Sequence, residues 1–102
     1  MKMAELPLEN FRLPNDRRKW KSVCEQRRAL ASQLEARTRS GIVTGDVWEL
    51  RVGFGVTPRT FFRRMAELRQ LGIVRSVGRI GYSFDGLVGA VSGTNEGATT
   101  AR

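Results

Sequence analysis

The sequence predicts an α+β fold that is mainly α with a small β-hairpin, built from three helices of which the first is long. Three observations lead there. Residues 56–74 read as a capped amphipathic helix with a clear start and stop, and residues 15–38 carry an apolar stripe at near-heptad spacing. Residues 73–84 form two short runs rich in β-branched and aromatic side chains on either side of Gly78-Arg79. A chain of 102 residues is one domain, able to bury one modest core. We divide it into an N-terminal arm (1–14), a folded body (15–86) and a flexible C-terminal tail (87–102).

The arm holds Pro7 and Pro14 and has little periodicity, so it reads as extended. Leu6, Leu8, Phe11 and Leu13 alternate with more polar positions. A free tail would not hold so many apolar side chains. Strand-like docking across the core, or across a partner, is expected. Asn15-Asp16 then starts a helix, the acid being well placed for the N-terminal dipole, and it runs to about Thr38, before Ser40-Gly41. Its stripe is Trp20, Val23, Cys24, Leu30, Ala31 and Leu34, and Arg27 falls in the middle of it. An unpaired ion there would cost several kcal/mol. Either the Arg27 stem snorkels to the edge, or the stripe is partly a seam with a second copy, giving a homodimer through helix 15–38.

Ile42-Val43-Thr44 is long enough only for a small strand. Gly45-Asp46 opens a second helix, Val47 to about Gly53, with Trp48, Leu50 and Phe54 as core anchors. Glycine-rich Gly53-Phe54-Gly55 supplies the turn that follows. It is no phosphate-binding loop, because no strand precedes it and no Gly-Lys-Ser/Thr ends it. In the third helix Thr57 is the N-cap, Pro58 occupies the first turn and Gly72 is the stop. Phe61, Met65 and Leu68 mark its buried face. The opposite face carries Arg59, Phe62, Arg63, Ala66 and Gln70, flanked by Thr60 and Arg64. Strands 73–77 and 80–84 follow, turning at Gly78-Arg79, with Tyr82 and Phe84 expected to pack inward.

Lys and Arg number 18 against 10 acids, for a net charge of +8. That balance asks for a polyanionic partner, nucleic acid before an anionic membrane. No run approaches the roughly 18 apolar residues of a membrane span and no signal-peptide pattern opens the chain, so a cytoplasmic, nucleoid-associated location is the expectation. Cys24 is the only cysteine and histidine is absent, which excludes intramolecular disulfides and His/Cys metal sites. With scattered acids besides, no catalytic constellation, cofactor site or small-molecule pocket is evident, and an enzyme is not expected.

Val56-Thr57, Thr60-Phe61, Arg63-Arg64, Met65, Leu68, Leu71, Gly72, Ile73 and Val74 stand in one gapless register, with a shorter helix before them and a strand-turn-strand after. This pattern resembles the winged helix-turn-helix superfamily of bacterial and phage DNA-binding proteins, over roughly residues 20–84. Arg51 departs from it, standing where the family usually has a small residue. The resemblance implies three helices plus a wing and sequence-specific binding of double-stranded DNA, as by a transcriptional regulator of bacterial, phage or mobile-element origin. Helix 57–71 would enter the major groove, and the wing, 73–84, would lie on the minor groove or backbone. Arg59 and Arg63 are the choices for reading guanine. Thr57 and Thr60 suit a phosphate or base edge, and Phe62 a thymine methyl or a sugar. Arg64 and Arg69 would hold the backbone, while Arg75 and Arg79 belong to the wing, Arg79 near its tip. Arg17, Arg18 and Lys19 are placed either for phosphates beyond the recognition helix or as a solvated face. The principal alternative is a winged-helix interaction or assembly module of a replication, partition or recombination complex. RNA binding ranks lower, since Phe62 is the one clearly exposed aromatic expected.

Overall fold

A computed structural model describes residues 2–45, 49–78 and 81–86. Three helices, α1 (Trp20–Ala36), α2 (Leu50–Phe54) and α3 (Pro58–Gln70), pack with a small antiparallel sheet into one compact α+β body. The strands are β1 (Thr38–Arg39), β2 (Ile42–Val43), β3 (Val74–Val77) and β4 (Gly81–Phe84), in the order β1-β2-β4-β3. Arg79 and Trp48, assigned to the wing tip and the second helix, lie outside the described residues.

The arm docks, though not as a strand. It forms two 3-10 turns, Met3–Glu5 and Leu8–Phe11, which leave Met3, Leu6, Phe11 and Leu13 buried against α1. Polar contacts from Glu35, Arg28 and Arg27 of α1 hold it there. The Met3 N–H donates to Glu35 Oε1 at 3.0 Å, and Arg28 Nη1 donates to the Leu6 carbonyl at 3.0 Å. Helix α1 begins at Trp20, not Asn15, and ends at Ala36. Asp16 does not cap it, because its carboxylate is committed elsewhere. It accepts from the Leu13 N–H at 2.7 Å and receives the guanidinium of Arg27.

Arg27 itself departs from the snorkelling expected of its stem. It is 1% exposed, so its stem does not snorkel, and its charge is answered within the chain, so its burial gives no reason to invoke a second copy.

Just beyond α1 the chain makes a hairpin that the sequence reading treated only as a helix stop. Ser40 and Gly41 both take positive φ (53° and 82°), the backbone of a two-residue turn that suits the twist of the paired strands. Thr38 then faces Val43, and Arg39 faces Ile42. Strand β2 joins β4 through Ile42 opposite Ser83, and β3 pairs with β4 from Val74↔Phe84 to Val77↔Gly81. Tyr82 and Phe84 are half-buried against the core, while Ser83 between them is the more buried, at 6% exposure.

The turn Gly55-Val56-Thr57 connects α2 to α3, with Gly55 at φ 73° closing α2. Leu50 is buried, and Phe54 is half-buried and edge-on to Phe61, their ring centroids 6.5 Å apart. At its far end α3 closes through Gly72. The Ile73 N–H reaches the Leu68 carbonyl (3.0 Å) and the Gly72 N–H reaches that of Arg69 (3.1 Å), with Gly72 at φ 81°. This is the Schellman arrangement, which satisfies the orphan carbonyls and turns the chain directly into β3. Leu68 and Ile73, the positions whose apolar side chains commonly accompany this motif, are both buried.

Candidate nucleic-acid interface

Helix α3 is fixed at its start by one side chain. Thr57 is extended (φ −65°, ψ 154°), and its Oγ1 accepts from the Thr60 N–H at 3.2 Å, satisfying one of the free donors of the first turn. The same hydroxyl donates to Thr60 Oγ1 at 3.0 Å. Both threonines proposed for DNA contact are therefore engaged with each other, Thr57 as the cap and Thr60 through its N–H and hydroxyl, and Thr60 is half-buried. Pro58 fills the first helical position, where no N–H is required.

From there the faces separate by periodicity. Phe61, Arg64, Met65 and Leu68 point into the body. Arg59, Phe62, Arg63, Arg69 and Gln70 are exposed, with Phe62 at 56%. None of Arg59, Arg63 and Arg69 has an acidic partner among the described residues. One side of α3 is thus a row of solvated guanidinium groups around an exposed aromatic ring. Such a row attracts phosphates and base edges electrostatically.

Arg64 does not belong to that row. It lies on the helix flank that meets α1 and is 7% exposed; its Nε donates to Gln26 Oε1 at 2.8 Å, and its Nη1 pairs with Glu67. The expectation that it holds a nucleic-acid backbone is corrected on this ground: its donors face inward.

Under α3 lies an ionic cluster that the sequence reading did not assemble. Arg27 gives Nη1 to Asp16 Oδ2 (2.6 Å) and to the Phe11 carbonyl (2.7 Å), Nη2 to Asp16 Oδ1 (2.9 Å), and Nε to Glu67 Oε1 (3.1 Å). Two cations, Arg27 and Arg64, meet two anions, Asp16 and Glu67, so the cluster is neutral and nearly saturated with hydrogen bonds. That is the condition under which buried charges are tolerated. The hydrogen bond from Arg27 holds the Asp16 carboxyl below the ordinary carboxylate range, against the effect of burial. Burial pushes Glu67 up, but the bonds from Arg27 and Arg64 outweigh it and its pKa is lowered. Burial likewise works against the charge on Arg27, and its two carboxylate partners more than restore it. Burial raises the Cys24 thiol, as suits a small core residue. One signal was available beforehand: a basic residue in an apolar stripe requires a buried acid somewhere.

The remaining candidates fall in two places. Arg75 is exposed on β3, and its Nη2 reaches Ser83 Oγ across the strand pair at 3.4 Å; Ser83 Oγ in turn donates to Asp85 at 3.3 Å. Arg17, Arg18 and Lys19 are exposed immediately before α1. They are joined by Lys21 and by Arg12, the latter not singled out in the sequence, which stand 5.9 and 4.4 Å from the centroid of the Trp20 ring. Among the described residues no group of His, Cys, Asp or Glu is placed to hold a metal ion, and no helix is long and apolar enough to cross a membrane. The chain matches no known protein family, no curated protein and no solved structure.

Proposed function

We propose that this chain binds double-stranded DNA with sequence specificity, as a non-enzymatic regulator built on a winged helix-turn-helix. The observation that carries the reading is the division of α3. Arg59, Phe62, Arg63, Arg69 and Gln70 stand exposed on one side, and the other is fixed by Phe61, Met65, Leu68 and the Arg27 cluster. A rigid helix with solvated arginines on its outer face suits the major groove, where a guanidinium can bond O6 and N7 of guanine together. Arg59 and Arg63 take that role, Phe62 meets a thymine methyl or sugar, and Arg69 meets the backbone. The turn Gly55-Val56-Thr57 between α2 and α3, and the β3–β4 hairpin following α3 with Arg75 on it, agree with a helix-turn-helix and a wing. The net charge of +8 supplies long-range attraction.

The test is selection from a pool of random duplexes at low and near-physiological salt. Recovery of a motif at the higher salt supports specific readout, and repeated half-sites would report a dimer on DNA. Sequence-blind binding that disappears with salt would refute it. A protein-interaction module is the second reading, and a specific observation favours it. Val52 on α2 is 74% exposed, and a shallow groove of about 400 Å³ runs between Glu25, Gln26 and Ala29 of α1 and the pair Phe54 and Val56. Under that reading a partner would be retained at high salt and no motif would emerge.

A further inference from the structure

We propose that Arg12, Arg17, Arg18, Lys19 and Lys21 form a second phosphate-binding surface, continuous with the exposed face of α3 and indifferent to sequence. The proposal rests on the reading of α3 as a duplex-binding helix and extends it to phosphates flanking the site that α3 reads. All five side chains are exposed, and none has an ion-pair partner among the described residues. The Arg12 guanidinium lies over Trp20, 4.4 Å from the ring centroid, and the Lys21 ammonium is 5.9 Å from the same centroid. The Trp20 ring thereby attracts two cations of the stretch. The acid within this stretch offers no neutralisation, because Asp16 turns both oxygens inward to Arg27 and the Leu13 N–H. The first turn of α1 has neither an acidic residue nor a side-chain cap, so the helix end adds to the positive field. Left alone, such a surface repels itself; a polyanion relieves it.

Its position follows from the Arg27 cluster. One guanidinium grips the Phe11 carbonyl and the Asp16 carboxylate, so Arg12 and Arg17, the next residues in each case, start from neighbouring points. The Nε of the same Arg27 bonds Glu67 of α3 at 3.1 Å. Glu67 is four residues beyond Arg63, about 40° round the helix axis from it. The cationic stretch therefore borders the Arg63 edge of α3 and is tied to it by buried groups, so a duplex lying along α3 meets both. Contacts of this kind add affinity and salt sensitivity without discrimination.

The test compares wild-type protein with a variant combining Arg17→Ala, Arg18→Ala, Lys19→Ala and Lys21→Ala, and with Arg63→Ala. The probes are a selected duplex of about three helical turns, its scrambled counterpart, and the selected duplex trimmed to about one turn. The fourfold variant should lose at least about tenfold in affinity on both long duplexes, keep the ratio between them, and bind the short one like wild type. Its log affinity should fall less steeply with log salt, the slope shrinking by about three to four. Arg63→Ala should instead lower the ratio. A charge-preserving pair, Arg17→Lys with Arg18→Lys, should match wild type, and circular dichroism should show α1 intact in every variant. If the fourfold variant binds all three duplexes like wild type while Arg63→Ala loses discrimination, the second surface is refuted and the reading of α3 stands. Failure of the wild-type protein to bind any duplex refutes both.

Discussion

At the residue scale, Arg27 decides more than any exposed arginine. It is 1% exposed and holds Asp16, Glu67 and the Phe11 carbonyl, so it connects arm, first helix and third helix through one side chain. Arg27→Met would leave Asp16 and Glu67 without their main partner in a poorly solvated place. A loss of about 3–5 kcal/mol is expected in chemical denaturation at neutral pH. The pH dependence has a definite sign. Asp16 and Glu67 both have folded pKa values below their unfolded ones, so over that interval the unfolded chain binds more protons. Their contribution is complete above the ordinary carboxylate range and is lost as the pH falls below about 4 and through the lowered folded values. The gap between wild type and Arg27→Met should narrow on acidification; a gap constant from pH 7 to 3 would refute this account. Neighbouring arginines on α3 should separate cleanly. Arg63→Ala should leave stability within about 0.5 kcal/mol while costing about 1–3 kcal/mol of binding on the preferred duplex. Arg64→Ala should destabilise the fold instead, since it strips Gln26 and Glu67 of a donor.

At the element scale, α3 owes its placement to its ends. Thr57 supplies the only side-chain cap recorded on a described helix, so Thr57→Ala should cost about 1 kcal/mol in thermal or chemical unfolding, with Thr57→Ser close to neutral. Equal losses for the two substitutions would mean that the methyl, not the hydroxyl, matters. The same locality explains what could be read beforehand. Thr57-Pro58, the Phe61–Met65–Leu68 spacing and Gly72 act over a few residues, so α3 and the strand after it were legible. The start of α1 was not, because Asp16 was drawn from the capping role by Arg27, 11 residues on, and Arg27's other acid lies 40 residues away on α3. No short pattern encodes such a pair. The 3-10 turns of the arm are likewise imposed by docking onto α1. The Ser40-Gly41 hairpin was readable but masked by its second meaning as a helix stop.

At the scale of the whole molecule, the arm is part of the core and the candidate interface depends on it. Met3, Leu6, Phe11 and Leu13 are each at most 9% exposed, and Phe11 is fully buried. Burial of each such side chain is worth about 1.5–3 kcal/mol. Together they rival the roughly 5–15 kcal/mol that holds a typical domain folded. The arm also provides the Phe11 carbonyl and leads into Asp16, two of the three groups that satisfy the guanidinium beneath α3. A chain starting at Pro14 should therefore show no cooperative thermal transition and bind no duplex. A milder change keeps the fold and isolates the coupling. Phe11→Leu shrinks a sealed contact while retaining the backbone carbonyl, and should lower stability by about 1–2 kcal/mol with duplex affinity unchanged at temperatures where the protein remains folded. Hydrogen exchange in that variant should quicken together in the arm, α1 and α3, because all three meet at Arg27. Exchange quickened in the arm alone would show that the arm opens independently, and α3 would then have to hold its pose without it.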